Sequence, residues 1–327
     1  MKKTSKQILQ DKADENTMRH LISVIGAPSS IGIRPDDQSG EAQHVDRAPG
    51  ILREFGLVAR LDAAEIGDVV PPPYQDFTRP PGRARNEAGL MSYSRSLADR
   101  VAVGLDTGQF VVVLGGDCSI VLGCLLGASR RAGRIGVAYL DARADFATPE
   151  ESRTGSVASM CLALAVGHGD SPLARLAGPM PLVRAEDVAL IGRRDVSEPS
   201  YGHAALSVSG ILDLPDSTLH PGGVAAIASS ALARVGRAEL SGFWIHVDAD
   251  VLNPKVMPAV GSPEPGGAGI GELAALLAPL VEHPRALGMH LTLYDPSLDP
   301  DRSCALRLVT LLETLLGRQS FDHADRS

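Results

Sequence analysis

Runs of Val, Ile and Leu recur along this chain at the spacing of strand–helix–strand units, and that rhythm limits the fold more than any other feature. The runs are Leu21–Gly26, Phe110–Leu114, Ile135–Leu140, Asp187–Ile191, Phe243–Val247 and Ala286–Leu293. Several are nearly continuous in apolar residues, which suits strands covered on both faces of a sheet. Helical periodicity fills the intervals, at Ser94–Leu105, Ile120–Arg130, Val224–Val235, Ile270–Val281 and Ala305–Leu316. The alternation predicts an α/β fold with one mostly parallel, doubly wound sheet between helical layers.

The chain has 327 residues, enough for one large domain. Pro71–Arg85 reads as a surface loop because strand and helix patterns resume on both sides, and Asp141–Gly155 as a second long loop. The expected layout is a flexible tail over 1–20, one domain over 21–316 and a short tail over 317–327. Met1–His20 is polar and charged and lacks the apolar core of a signal peptide. The four cysteines, at 118, 124, 161 and 304, form no CxxC pair, so reduced thiols in the cytoplasm are expected. The longest apolar run, Phe110–Ala128, contains Asp117 and four glycines and reads as strand, turn and helix rather than a membrane span. Net charge of −8 and 4% aromatic content argue against nucleic acid and anionic membranes as partners.

In open parallel sheets, ligands bind beyond the carboxyl ends of the strands. Three strands here end in acidic or unusual residues: GGDCS (Gly115–Ser119), DARAD (Asp141–Asp145) and HVDAD (His246–Asp250). Asp248 and Asp250 are two apart and share a face while the strand continues. Four carboxylates brought together, Asp141, Asp145, Asp248 and Asp250, repel one another unless a cation sits among them. Hard divalent ions such as Mn²⁺ or Mg²⁺ suit oxygen ligands of this kind. Spacing alone leaves an ordinary alternative open, in which some of the four are loop or helix-capping aspartates.

Taken in order, the motifs resemble those of the ureohydrolase superfamily of arginases, agmatinases and formiminoglutamases. VIGAPSSIG followed by RAPGILREFGL is similar to the family's opening strand and first helix. GGDCSI resembles its Gly-Gly-Asp-His-Ser, and DARADF its Asp-Ala-His-Ala-Asp. HVDADVLNP and the Gly/Pro-rich loop after it resemble its Ser-x-Asp-x-Asp-x-x-Asp-Pro, while IGRRD and LYDPSLD fit the same order. The resemblance covers roughly residues 20 to 316. It implies an arginase-like three-layer α/β/α sandwich, a small-molecule substrate, assembly as a homo-oligomer (trimer or hexamer), and two manganese ions held by two histidines and four aspartates. It carries Asp141, Asp145, Asp248 and Asp250 over as ligand positions. Cys118 and Arg143 stand where the two histidines would be. Further departures are Ala158 at a loop histidine, Leu293 at a late strand glutamate, Ser197 at a substrate-binding carboxylate and Asn253 at the third motif's last aspartate.

These departures have different physics. Cys118 can still ligate as a thiolate, so one site could survive as Cys118, Asp141, Asp145 and Asp248. A guanidinium has no lone pair to give. Arg143 is therefore expected to replace the second cation, in hydrogen-bond contact at about 3 Å with Asp248 and Asp250. One divalent metal or none is expected, not a dimanganese centre. Cys118 beside Arg143 also suggests a low-pKa nucleophile, against the plainer reading of a buried thiol. His246 reads as a base or an extra ligand, or else as a core histidine bonded to a carboxylate. Glu264, Asn253 and Ser197 are candidate substrate contacts, although a solvated loop acid is the plainer reading of Glu264. The functions in view are an enzyme of specialised metabolism acting at an amidine- or amide-like C–N centre, a non-catalytic binding or regulatory homologue, and a mono-metal amidinohydrolase. Standard arginase or agmatinase activity is not expected.

Overall fold

The computed structural model describes residues 21–35, 43–75, 80, 82–195, 202–216 and 222–317. Both expected tails, apart from Gly317, lie outside the described residues, as does Ser197. Eight strands make one parallel sheet: β1 (Ile22–Ala27), β2 (Ala64–Asp68), β3 (Phe110–Gly115), β4 (Ile135–Leu140), β5 (Val188–Ile191), β6 (Leu212–Leu214), β7 (Gly242–Asp248) and β8 (Ala286–Thr292). Their order is β2-β1-β3-β8-β7-β4-β5-β6. The six runs read from the sequence are the six inner strands. The two that were not read, β2 and β6, are the edge strands, whose residues are exposed or half-buried and form no apolar run.

Five long helices match the periodic segments: α3 (Glu87–Asp106), α4 (Ile120–Ala132), α7 (Val224–Val235), α8 (Ile270–Val281) and α9 (Ser303–Leu316). α1 (Ala48–Glu54) falls within RAPGILREFGL. α2 (Leu57–Arg60), α5 (Cys161–Ala165) and α6 (His203–Val208) are under two turns, too short to show periodicity. No described helix is long and apolar enough to cross a membrane.

Because side chains alternate along a strand, each strand feeds two cores. Val112, Ala138, Ile245 and Val247 pack with α7, α8 and α9, through residues such as Ile227, Leu276 and Leu308. Val111, Val113, Val137, Tyr139 and Trp244 pack on the other face with α3 and α4, through Leu97, Val101, Val121 and Leu125. Burial on both sides is what makes the central strands near-continuous in apolar residues.

The sheet order puts the carboxyl ends of β3, β8, β7 and β4 side by side. Leu140 pairs with Val247, so Asp141 and Asp248 leave adjacent strands together. The loop after β3 is fixed by a close crossing with the loop after β1. The amide of Asp117 donates to the Ser29 carbonyl at 2.9 Å. The buried Asp117 carboxylate accepts from Ser29 Oγ at 2.8 Å and from the Gly32 amide at 3.1 Å. A Cβ at Gly116 would overlap the Ser29 backbone. Gly116→Ala is therefore expected to lower stability by about 1–3 kcal/mol, the usual cost of forcing an atom into a packed core. Denaturant unfolding of the full chain measures it, and an unchanged midpoint would mean that the crossing has slack.

Candidate functional site

A cavity of about 260 Å³ opens over these strand ends. Its walls include Cys118 from the loop after β3, Asp141, Arg143 and Asp145 from the loop after β4, Asp195 from the loop after β5, and Asp248 and Asp250 from the end of β7. Apolar Ile33, Ala158 and Leu293 also line it, with Thr154, Ser156, Ser159 and Ser262. The four expected carboxylates do converge. The strand stops at Asp248, however, and Asp250 is turned into the cavity by a 3-10 turn over Ala249–Val251, so the two acids do not share a continuing strand face.

Each carboxylate is met mainly by neutral donors. Asp141 Oδ1 accepts from the Arg143 amide at 2.8 Å, and its Oδ2 is buried without a partner. Asp145 Oδ2 accepts from Tyr139 Oη at 2.9 Å. Asp248 accepts from Cys118 Sγ at 3.0 Å and from Thr292 Oγ1. Asp250 Oδ1 accepts from the Ala142 amide at 3.3 Å. Burial pushes all four acids up; repulsion from others of the four adds to it for Asp145, Asp248 and Asp250, and from Asp195 for Asp141, partly offset by hydrogen-bond donors. Asp141 is raised to about 6 and Asp250 to about 8, while Asp145 and Asp248 lie well above the carboxylate range.

Other residues hold this loop cluster in shape; the motif IGRRD contains them, but nothing in the sequence assigned them a role in the site. Asp195 Oδ2 accepts from the Ala144 amide at 3.0 Å, and Arg193 donates to Asp195 Oδ1 at 3.3 Å. Arg194 donates to the carbonyls of Asp250 at 2.6 Å and Val251 at 3.2 Å. IGRRD therefore clamps two of the acid-bearing loops together. The paired cations and the acid two or fewer residues away were the only signal for this, and such a signal does not say which loops it joins. Two non-glycine residues at the cavity have left-handed backbone, Asp145 at φ 48° and Leu293 at φ 62°. Such strain persists only where surroundings over-determine it.

The profile of the Arginase family matches residues 21–317. The chain belongs to the arginase family. It is 28% identical over 305 residues to an arginase of Brevibacillus brevis, covering 92% of this chain and 99% of that protein. The native arginase structure from Bacillus caldovelox superposes with a TM-score of 0.82 at 28% identity, covering 92% of this chain and 99% of that one. The proclavaminate amidino hydrolase of Streptomyces clavuligerus, 18% identical with a TM-score of 0.67 over 91% of each chain, shares the fold. The α/β/α sandwich and the superfamily read from the motifs are thus established.

Within this arginase-family cleft, several expected site residues sit differently from the expectation. The guanidinium of Arg143 does not contact Asp248 or Asp250. Its ion pair, among the described residues, is with Glu264, which reaches in from the loop after β7. The reason is geometric: the Arg143 amide is tied to Asp141, and the side chain leaves toward the cavity rim, where it is 36% exposed and the charge is partly hydrated. The guanidinium of Arg143 acts on the acids only through space, lowering the proton affinity of Asp250, Asp145 and Asp141. Glu264 is accordingly neither a free base nor a solvated loop acid. Cys118 is not a low-pKa thiol, because burial, and next the charge of Asp248, push it well above its ordinary value. Asn253 is a turn residue that caps the Lys255 amide at 3.0 Å and does not line the cavity. His246 is fully buried beneath the acids, its Nε2 3.6 Å from Asp141 Oδ2 and 3.8 Å from Asp248 Oδ2. Burial lowers it to about 3, so it is neutral and no cationic partner to them.

Two groups of side chains have donor atoms close enough together to hold an ion: Cys118, Asp145 and Asp248, and Asp141, His246 and Asp248. In metal-free protein the acids leave a pH signature. A carboxyl whose folded pKa exceeds its unfolded value binds protons more tightly in the folded state, so stability falls as pH rises between the two values. For Asp250 that window runs from 3.8 to about 8. Asp250→Asn, in chelator, is expected to leave the melting temperature nearly unchanged near pH 4 and to raise it increasingly toward pH 8. A difference between variant and parent that does not vary with pH would contradict the raised pKa.

Proposed function

We propose that this arginase-family protein is an enzyme of specialised metabolism that acts on a small molecule at an amidine- or amide-like C–N centre, with at most one divalent cation. The observation that carries this reading is the pairing of Arg143 with Glu264 at the position where the family resemblance implies a metal-binding imidazole. A guanidinium cannot ligate, so the donor set does not fit two manganese ions. It does fit one. Cys118 Sγ and oxygens of Asp145 and Asp248 lie within 4.8 Å of one another, and the partnerless, buried Oδ2 of Asp141 adjoins them. The thiol releases its proton only when a cation is bound, so uptake is pH-dependent and favours softer ions than Mn²⁺.

A cation held there supplies Lewis-acid polarisation of the reacting centre and makes water more acidic. The chain's own residues do the rest. Tyr139 and Thr292 hold Asp145 and Asp248 in place by hydrogen bonds. Asp141 and Asp250, whose carboxyls burial makes reluctant to ionise in the metal-free cleft, can take and return a proton within the cavity. Leu293 and Ala158 give the cavity an apolar wall, which favours a substrate with an apolar portion. They also favour a second reading, a binding protein without turnover. The resemblance further carries the expectation of a homotrimer or homohexamer.

Elemental analysis of the purified full chain and urea release from arginine test the proposal. The expected result is no more than one equivalent of metal per chain, less after Cys118→Ser, with arginine turnover at background. Two equivalents of manganese with brisk urea release would sink it. Restoring both imidazoles, by Cys118→His with Arg143→His, is expected to add a second equivalent of Mn²⁺ and to raise the melting temperature in its presence.

A further inference from the structure

Beneath the acids, β7 and β8 carry facing side chains in register: Trp244 opposite Gly288, His246 opposite His290, and Asp248 opposite Thr292. A Cβ at Gly288 would lie 2.7 Å from Trp244 Cζ3, so the glycine makes room for the indole. Trp244 Nε1 donates to His290 Nδ1 at 2.7 Å, and His290 Nε2 is hydrogen-bonded to His246 Nδ1. All three side chains are fully buried. Tyr139 stacks on His246 with ring centroids 3.9 Å apart, which sets the plane of the imidazole.

The proton positions in this chain follow from valence. An indole N–H can only donate, so His290 Nδ1 is an acceptor. An imidazole carries at least one proton, so that of His290 is on Nε2 and is donated to His246 Nδ1. His246 must then carry its own proton on Nε2. That nitrogen faces Asp141 Oδ2 at 3.6 Å and Asp248 Oδ2 at 3.8 Å. Both His246 Nε2 and Asp141 Oδ2 are buried and without a hydrogen-bond partner among the described residues, a donor and an acceptor left facing one another.

We propose that Trp244 and His290 are positioning residues that fix His246 as its Nε2–H tautomer. The imidazole is thereby a hydrogen-bond donor toward Asp141 and Asp248 and not a cation ligand. The inference rests on the single-cation reading above and deepens it: of the two donor groups, it assigns the cation to Cys118, Asp145 and Asp248. His246 holds Asp141 alongside as a hydrogen-bonded acid, much as an outer partner orients a ligand at other metal sites.

Long-range ¹H–¹⁵N correlation of the metal-free full chain, with ¹⁵N-labelled histidine, tests this directly. His246→Gln identifies the His246 signals by their loss. The expected spectrum has both imidazoles protonated at Nε2 and unprotonated at Nδ1, with His246 Nε2 still protonated when Zn²⁺ is added. Trp244→Phe, which removes the indole donor together with part of the buried ring system, is expected to release the lock and give a mixture of tautomers. An unprotonated Nε2 on His246, a coordination shift of that nitrogen on adding Zn²⁺, or a Trp244→Phe spectrum identical to the parent would each overturn the proposal. If Trp244→Phe does not fold, the parent spectrum decides alone. Because that spectrum needs no metal, its outcome is separate from the metal count that tests the proposed function.

Discussion

Four carboxylates crowd into one nearly dry edge of the sheet, and the surrounding architecture answers that repulsion. The donors that reach them directly are a phenol, a hydroxyl, a thiol and two backbone amides, none of which carries a full charge. The positive charge of Arg143 is directed to Glu264, and that of Arg194 to main-chain carbonyls, so both act on the acids only at a distance. Neutral donors do not offset the desolvation of four charges, so the cluster keeps protons that exposed aspartates would release. A cation therefore enters in competition with protons, and the thiol of Cys118 must lose one as well. The binding chemistry of this cleft is thus coupled to proton release throughout.

Most of the fold was legible because its signals are local and strong. Inner strands buried on two faces leave unmistakable apolar runs, and amphipathic helices of three or more turns leave periodicity. The edge strands Ala64–Asp68 and Leu212–Leu214 left neither, since they are held by one neighbour and half-face solvent. In the site, the convergence of Asp141, Asp145, Asp248 and Asp250 was legible from their place after strand ends. The direction of the Arg143 side chain was not, because it depends on Glu264, 121 positions away. A buried histidine beside the carboxylates was one of the readings of His246, but the contacts of its other nitrogen were not legible, because they need the β7–β8 register to bring His290 and Trp244 beside it. The sequence does hold the matching patterns Trp-x-His-x-Asp and Gly-x-His-x-Thr, but their alignment is a property of strand pairing alone.

The thiol shows which of two readings of one residue its surroundings support. Proximity to an arginine suggested an acidified, reactive sulfur. The arginine is turned away and the immediate neighbours are acids, so the same position yields a thiol held firmly in its protonated form. The plainer reading of a buried thiol is the one that fits, because the sign of the shift depends on which charge is in contact.

Leu293 keeps a left-handed backbone although its side chain is poorly suited to it, and its amide is tied to the Gly116 carbonyl at 2.9 Å. The contour of the cleft at that point is thus dictated by main chain bonded to main chain, and the side chain is a passenger. A vessel whose walls are cast in backbone can be relined, one residue at a time, without being reshaped. Redesign of this cleft toward other small molecules has its freest choices at such places, and its narrowest where a side chain itself ties the loops together, as Asp117, Arg194 and Asp195 do.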